Sequence, residues 1–267
     1  MSGEERIVIV GGGPAAQAAA AAYREAGGTG AVKILAREDE LPYERPPLTK
    51  DFLRGESERE ALPLVDADWY EERVIDLRRG VEVAELDLGA AEVRTAEGEA
   101  FGFDRVLLAT GAEPTVPPLS GVDEPTVQTV RRVGDSERLG ELGDGDRALV
   151  VGSGFIGCEA AASLAMGRVE VTLATMEAAP QVERLGEEVA AEITAWLEDL
   201  GVDIRAGVEL ESIGAAGDRA SRARLSGRRE VVADRILLAL GVDRNDGLAA
   251  AAGIGRASCR ERVSKQV

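Results

Sequence analysis

The chain contains no histidine, and its two cysteines, Cys158 and Cys259, form no CxxC or CxxxxC pair. Without an imidazole, a Ser-His-Asp or Cys-His nucleophilic site and an HExxH metal site are excluded. The cysteine spacing likewise excludes a zinc knuckle, a dithiol redox site and a disulfide framework. Any chemistry must therefore come from carboxylates, Lys, Arg or a bound cofactor, and no metal site is expected.

Excess basic charge and long apolar runs are also missing. The 49 acidic and 31 basic side chains leave a formal net charge of −18, which repels phosphate backbones and anionic lipid surfaces and argues against a nucleic-acid partner. No run of about 18 apolar residues and no charged-then-apolar leader occurs, so neither a membrane span nor a signal peptide is expected. With 267 residues, 45% of them hydrophobic, the chain is expected to form one large or two ordinary domains in the cytoplasm.

Two stretches of the chain follow the order strand, glycine-rich turn, helix. The first passes from residues 6–10 (RIVIV) through a triple glycine into an alanine-rich helix, and the second passes from residues 147–151 (RALVV) through residues 152–157 into another helix. Each is followed by a further apolar run, at residues 32–35 and 169–173. Both stretches therefore predict a βαβ unit with parallel strands and a right-handed crossover.

The segments between these units alternate apolar and polar residues and indicate a small antiparallel meander that returns to the parallel sheet. The closing strands end in Ala109-Thr110-Gly111 and, in the second half, in Leu240-Gly241. The predicted fold class is α/β, with two Rossmann-like (three-layer ββα) dinucleotide-binding domains that each carry a parallel sheet and a small antiparallel β-meander. The predicted domains are residues 1–115 and 116–240, with residues 241–255 returning to the first.

The first glycine motif has the pattern GxGxxA, formed by Gly11, Gly13 and Ala16. The first glycine allows a sharp turn, the second lets a pyrophosphate approach the backbone, and the small third residue lets helix and strand pack closely. The helix N-terminus, which begins at Pro14-Ala15, offers free N–H groups to an anion. Glu38 lies where a carboxylate could accept hydrogen bonds from a ribose 2′-hydroxyl. An ordinary glycine-rich turn is the alternative for one motif, and a second copy favours two bound dinucleotides.

The second motif has all three glycines, and its residues are Gly152, Gly154, Phe155, Ile156 and Gly157. Thr175 stands near the end of the following strand, where an acid is expected, and Glu177 comes two residues later. No Arg or Lys occurs between residues 173 and 183, although a guanidinium usually meets a 2′-phosphate there. NADH is therefore predicted over NADPH.

Residues 41–50 read LPYERPPLTK. With the two glycine motifs and the Ala109-Thr110-Gly111 ending, this segment resembles the FAD-dependent pyridine nucleotide oxidoreductases of the ferredoxin, rubredoxin and putidaredoxin reductase type, over about residues 5–255. In that family the first site binds the ADP half of FAD, the second binds NAD(P)H, and electrons pass through the flavin to an iron–sulfur carrier. The resemblance implies FAD and NADH as cofactors and a ferredoxin- or rubredoxin-type partner.

The resemblance also implies roles by position. Lys50 would lie near flavin N5 and pair with Glu159, because a cation there stabilises charge on reduced flavin and a carboxylate orients the cation. A solvated lysine is the alternative for Lys50. The remaining expected FAD contacts are Glu38 at the ribose, Val83 at the adenine, and Arg45, Ala109, Thr110 and Gly111. Gly241 is the matching residue after the second closing strand.

Cys158 adjoins the second glycine motif on an alanine-rich helix, and we interpret it as a packing residue. The redox cysteines that disulfide-reductase, NADH oxidase and peroxidase relatives carry are absent here, which predicts electron transfer to an external acceptor. Family members continue past this length, whereas residues 256–267 turn abruptly basic. We interpret residues 256–267 as a non-native frameshift or read-through tail, with a disordered native terminus as the alternative.

Three functions remain open from the sequence. The first is an NADH-dependent FAD reductase of an iron–sulfur carrier, or a truncated form of one. The second is flavin chemistry with another acceptor, of the monodehydroascorbate or nitrite reductase type. The third is a non-catalytic fragment that binds a dinucleotide but cannot hold flavin.

Overall fold

The computed structural model describes residues 5–217 and 219–255, which form two compact units. The first unit contains residues 5–44, 63–112 and 244–255, and the second contains residues 45–62 and 113–243. Each unit has a parallel sheet and a three-stranded antiparallel sheet, which confirms the predicted α/β class with two Rossmann-like domains. The hypothesis about residues 256–267 lies outside the described residues.

The first unit contains seven strands and two helices between residues 6 and 108. They are β1 (Arg6–Val10), β2 (Ala31–Leu35), β3 (Ile75–Arg78), β4 (Val83–Asp87), β5 (Glu92–Thr95), β6 (Ala100–Gly102) and β7 (Arg105–Leu108), with helices α1 (Pro14–Glu25) and α2 (Ala67–Glu72). The parallel sheet has the order β3-β2-β1-β7, and β4-β5-β6 form the antiparallel sheet. Strand β1 therefore lies inside the sheet, with β2 and β7 as parallel neighbours.

Strand alternation explains the three layers of the first unit. Ile9 and Ile34 pack with Ala16 and Ala20 of α1, which are fully buried and let the helix approach the sheet closely. On the other face, Val8 and its neighbours in β1 and β2 pack against the antiparallel sheet in a cluster of Val8, Val10, Leu35, Leu86, Val93 and Phe103. The alternating β-branched run of β1 thus supplies both apolar faces.

The second unit repeats this arrangement. Its strands are β8 (Ala112–Pro114), β9 (Val127–Gln128), β10 (Arg147–Val151), β11 (Glu170–Ala174), β12 (Asp203–Arg205), β13 (Leu210–Ala215), β14 (Ser221–Leu225), β15 (Arg229–Ala233), β16 (Arg235–Leu238) and β17 (Val242–Arg244). Its helices are α3 (Val133–Gly140), α4 (Phe155–Met166) and α5 (Val182–Asp199). The parallel sheet has the order β12-β11-β10-β16-β9, and β13-β14-β15 form the antiparallel sheet.

The registers of the two parallel sheets correspond. Val10 ends β1 opposite Leu35 and Leu108, and Val151 ends β10 opposite Ala174 and Leu238. One difference lies at the sheet edge, where β16 pairs with β9 whereas β7 pairs, among the described strands, only with β1. The chain passes between the units in β8 and in β17, which pair with each other, and helix α6 (Gly247–Ala251) then belongs to the first unit.

Residues 45–62 pack with the second unit, although the sequence places them inside a domain of residues 1–115. Their first part is a 3₁₀ turn, Pro46–Thr49. Buried hydroxyls hold this turn from two helices, since Ser136 Oγ donates to the Leu48 carbonyl at 2.7 Å and Ser163 Oγ donates to the Thr49 carbonyl at 2.7 Å. Backbone carbonyls carry no sequence signature, so this placement is not apparent from periodicity.

Acid is expected to weaken the first unit through Asp104. The Arg6 guanidinium and backbone N–H donate to this carboxylate and lower its pKa to about 2. Because the unfolded-state pKa is about 3.9, the ion pair stabilises the fold above that pH and is lost as the pH falls toward 2. The gap in urea midpoint between the parent and Asp104→Asn should therefore narrow as the pH is lowered from 7 to 2.5.

Asp144→Asn is the control for this measurement, because Asp144 meets Arg168 at 3.7 Å with both side chains largely exposed. Its urea midpoint should follow that of the parent at every pH. A parent–Asp104→Asn gap that stays constant down to pH 2.5 would contradict the assignment.

Candidate functional site

The first glycine turn is built as the motif predicts. Gly11 has φ +126°, and a Cβ there would lie 2.1 Å from the Ala109 carbonyl oxygen at the end of β7, so only glycine fits. A Cβ at Gly13 would meet no atom within 4 Å. The first glycine thus packs against the closing strand, and the second faces open space at the N-terminus of α1, where Pro14 begins the helix. This turn fits a pyrophosphate.

Glu38 follows β2, and its carboxylate is held by a neighbour that the sequence did not single out. Tyr43 donates its hydroxyl proton to Glu38 Oε2 at 2.7 Å, and the Tyr43 side chain is buried. The Glu38 carbonyl also accepts from Gly80 N, close to the start of β4, where Val83 is half-buried. The carboxylate proposed to bind the ribose is therefore oriented before any ligand arrives.

The loop that follows β7 is held by Asn245, which sequence reasoning missed. Thr110 Oγ1 donates to the Asn245 carbonyl at 2.6 Å, Asn245 Nδ2 donates to the Thr110 carbonyl at 2.9 Å, and Asn245 N donates to the Gly111 carbonyl at 3.0 Å. Three hydrogen bonds thus fix Thr110 and Gly111 from a segment 135 residues away. A lone Asn after β17 gives no signal of this role in the sequence.

The second glycine turn repeats the geometry of the first. Gly152 has φ +104°, and its Cβ would lie 2.4 Å from the Ala239 carbonyl oxygen at the end of the closing strand, while a Cβ at Gly154 would meet nothing within 4 Å. A Cβ at Gly157 would lie 1.9 Å from the Gly152 carbonyl oxygen. The turn and α4 therefore touch at Gly157, and Gly154 faces the space where an anion would bind.

Two hydroxyls connect this turn to the end of β11. Ser153 Oγ and Thr175 Oγ1 are buried and 2.7 Å apart, and Thr175 Oγ1 accepts from Glu177 N at 3.2 Å. Glu177 Oε2 accepts from Glu183 N in the first turn of α5 at 3.1 Å. Thr175, which stands where an acid was expected, therefore connects the end of β11 to the glycine turn through Ser153. One carboxylate oxygen of Glu177 is already hydrogen-bonded to the backbone of α5.

The contact that the structure gives Gly241 is with the segment after β8 and not with the second glycine turn. Its φ is +97°, and its carbonyl accepts from Thr115 N at 3.0 Å. Phe155 is half exposed at the start of α4, and Ile156 is partly buried beside it. The structure thus shows a backbone role for Gly241, and its predicted cofactor contact stays a prediction.

The structure brings the expected Lys50–Glu159 pair together within the second unit. Lys50 Nζ lies 2.6 Å from Glu159 Oε2, and Thr49 Oγ1 donates to the same oxygen at 2.6 Å. The two charged side chains are 42% and 32% exposed, so the pair is accessible to solvent on one side. Lys50 Nζ also donates to the Pro46 carbonyl at 3.3 Å.

A cavity of about 250 Å³ surrounds this pair. Arg45 lines it and donates from Nη1 to the Arg131 carbonyl at 2.5 Å. The lining groups are Arg45, Pro46, Leu48, Thr49, Lys50, Val130, Arg131, Ile156 and Glu159. Three cationic side chains against one carboxylate make this cavity suited to an anionic or electron-rich group beside an apolar floor.

Cys158 is expected to be chemically inert. Its thiol donates to the Ser153 carbonyl at 3.2 Å, and burial raises its pKa to about 11. Since an ordinary thiol has a pKa of about 8.5, the thiolate fraction at pH 8 falls about 200-fold. In a Cys259→Ser background, iodoacetamide should therefore modify the native chain about 100-fold more slowly than the chain in denaturant. If the native and the denatured chain were modified at equal rates, the burial of the Cys158 thiol would be contradicted.

Within residues 5–217 and 219–255, no group of three or more His, Cys, Asp or Glu side chains has an arrangement that could hold a metal ion. In the same ranges, no helix combines the length and the hydropathy that crossing a membrane requires.

The chain is similar to proteins of one family. The family described as pyridine nucleotide-disulphide oxidoreductase matches residues 5–261. Rhodocoxin reductase of Rhodococcus erythropolis is 31% identical over 232 residues, covering 86% of this chain and 54% of its own. A probable ferredoxin reductase, CtmF, of Castellaniella defragrans is 33% identical over 265 residues, covering 97% and 63%.

Solved structures show the same likeness. The covalent putidaredoxin reductase–putidaredoxin complex matches with a TM-score of 0.89 at 28% identity, over 93% of this chain and 61% of that one. A ferredoxin reductase for the CYP199A2 system from Rhodopseudomonas palustris matches with a TM-score of 0.90 at 27% identity, over 95% and 63%. The chain spans less than two thirds of the length of each of these relatives.

Proposed function

The chain belongs to the pyridine nucleotide-disulphide oxidoreductase family, and from this premise we propose that it is the FAD- and NADH-binding part of a flavoprotein reductase for a small iron–sulfur carrier. The observation that carries the proposal is the pair of matching glycine turns. In each, the first glycine packs on the closing strand, at Ala109 or Ala239, and the second faces open space. Two such turns in one chain supply one site for each dinucleotide.

FAD is proposed to bind at the first turn. Gly13 and the N-terminus of α1 would face its pyrophosphate, and the carboxylate of Glu38, oriented by Tyr43, would accept hydrogen bonds from a ribose. When bound, FAD supplies an acceptor that takes up a hydride and releases electrons singly. By the family resemblance, Val83, Thr110, Gly111 and Arg45 would contact the same cofactor.

NADH is proposed to bind at the second turn, at Gly154 and the N-terminus of α4. The region after β11 offers Glu177 and no Arg or Lys up to residue 183, which supports NADH over NADPH because a guanidinium usually meets a 2′-phosphate there. The Arg184 guanidinium, one residue later, lies 5.4 Å from the centre of the Phe155 ring. The buried Ser153–Thr175 contact keeps the turn and the strand end in one arrangement.

Lys50 is proposed to supply positive charge to the reduced cofactor. Glu159 orients its ammonium group, and the half-exposed position of the pair leaves Nζ accessible. A preorganised cation costs no reorganisation when negative charge develops, which is the physical basis of the proposed role.

An external one-electron acceptor is proposed because the described residues contain a single cysteine, Cys158, and its raised pKa disfavours thiol chemistry. The relatives include reductases named for rhodocoxin, rubredoxin and ferredoxins, which supports an acceptor of that chemical class. Monodehydroascorbate or nitrite as acceptor stays an alternative from the sequence. The cytoplasmic location expected from the sequence stays a proposal.

The test is an absorption spectrum of the purified chain after FAD is added and the excess removed, followed by NADH or NADPH without oxygen. Flavin bands that bleach with NADH faster than with NADPH are expected. A colourless chain that still binds NADH would overturn the reductase proposal and support the non-catalytic fragment. A small iron–sulfur protein added after reduction then tests the acceptor, and failure of flavin reoxidation would exclude that class.

A further inference from the structure

Two donors share one carboxylate oxygen beside the cavity of the second unit. Lys50 Nζ and Thr49 Oγ1 each lie 2.6 Å from Glu159 Oε2. A half-exposed Lys–Glu pair does not by itself keep two long side chains in one geometry, because solvent screens the attraction and both side chains lose rotamer entropy. Something else must hold the Glu159 carboxylate if the pair is to stay ordered.

Thr49 has the properties of that holding group. It is 5% exposed, whereas Lys50 and Glu159 are partly exposed, and its β-branched side chain has few rotamers. A hydroxyl in a tight turn commonly donates to the carbonyl three residues back, but the distance from Thr49 Oγ1 to the Pro46 carbonyl is 3.4 Å. The short bond runs instead to the charged oxygen of Glu159, which is the stronger acceptor.

Helix α4 contacts Thr49 at two points. Glu159 accepts from its side chain, and Ser163, one turn later on the same helix face, donates from Oγ to its backbone carbonyl at 2.7 Å. Arg54 Nη1 lies 3.4 Å from Ser163 Oγ and helps to orient that hydroxyl. Side chain and backbone of Thr49 are therefore both fixed by α4, so the direction of its hydroxyl is determined.

We propose that Thr49 is a positioning residue that holds the Glu159 carboxylate toward Lys50 and so keeps the lysine ammonium in place at the cavity. The role in electron transfer rests on the proposed function, whereas the positioning itself does not. Without the Thr49 hydroxyl, Lys50 Nζ is the one partner that Glu159 Oε2 keeps among the described residues, and Nζ is otherwise held by a longer bond to the Pro46 carbonyl at 3.3 Å. Both side chains of the ion pair then exchange rotamers more readily.

The test uses the Lys50 ammonium signal in nitrogen NMR of the ligand-free chain. Only Lys33, Lys50 and Lys265 are present, so the signal is assignable by substitution. Thr49→Val, which keeps the volume and removes the hydroxyl, should speed hydrogen exchange of the ammonium group about tenfold, on the scale of one lost charge-assisted hydrogen bond. Thr49→Ser, which keeps the hydroxyl, should restore the parent rate.

Ser136→Ala is the matched control, because it removes another buried hydroxyl that donates to the same turn, from α3 to the Leu48 carbonyl, and that has no bond to Lys50 or Glu159. Its exchange rate should equal that of the parent. An unchanged rate in Thr49→Val would overturn the proposal, and so would an equal increase in Ser136→Ala, which would indicate general loosening of the turn.

A second readout connects positioning to the reaction. In flavin-loaded protein, Thr49→Val should slow flavin reduction by NADH about tenfold with the NADH dissociation constant unchanged, since only the reacting geometry is affected. A parent chain that NADH does not reduce would contradict the proposed function, while the exchange measurement would still decide the role of Thr49.

Discussion

Replacing Gly154 with alanine should weaken NADH binding on the order of 100-fold while leaving the free energy of unfolding unchanged. Gly154 has φ −65° and ψ −179°, which alanine adopts freely, and its added Cβ would meet no protein atom within 4 Å. That empty space is where the pyrophosphate must approach the backbone, so the methyl group excludes the ligand and not the fold. Isothermal titration with NADH and urea unfolding measure the two quantities.

Gly157→Ala, in contrast, should lower the free energy of unfolding. Its Cβ would lie 1.9 Å from the Gly152 carbonyl oxygen, so helix α4 and the turn must separate, at a cost of about 3 kcal/mol in unfolding free energy. Gly143→Ala, also with open space around its Cβ but at the opposite end of β10 from the motif, is the control and should change neither quantity. If the Gly154→Ala variant bound NADH as tightly as the parent, the assignment of the second glycine turn to NADH would be refuted.

Arg24→Ala should lower the unfolding free energy of the first unit by about 2–4 kcal/mol, because its guanidinium joins α1 to two other chain segments. It donates to the carbonyls of Gly28, Gly30, Arg73 and Val74 at 2.8–2.9 Å. These segments lie between α1 and β2 and between α2 and β3, so the loss leaves four carbonyls to water and loosens both connections.

Trp69 reports this unfolding if Trp196 is first replaced by phenylalanine, since these are the two tryptophans and they lie in different units. Arg24→Lys keeps the charge without the planar fork and should recover less than half of the loss. Arg94→Ala, which removes exposed pairs to Glu85 and Glu92, should cost under about 0.5 kcal/mol. If Arg24→Ala lowered the unfolding free energy by no more than Arg94→Ala does, the bridging role of Arg24 would be contradicted.

The site was predictable where its residues obey local rules. Both glycine motifs, the acid Glu38 and the Lys50 segment follow from short patterns, and the structure forms both glycine turns and brings Lys50 to Glu159. Tyr43, Asn245 and Thr49 were missed as positioning groups, because their partners are a carboxylate or backbone atoms elsewhere in the chain. A hydroxyl or amide reveals its partner only when the chain is folded.

The sequence by itself determined the two βαβ units and their glycine turns, because a positive φ, strand alternation and helix propensity act over a few residues. Only the tertiary structure decided that residues 45–62 pack with the second unit and that Thr49 and Lys50 share one oxygen of Glu159. The physical reason is separation along the chain. Glu159 lies 110 residues from Thr49, and the hydroxyl-to-carbonyl bonds that fix the turn use backbone acceptors that every residue possesses.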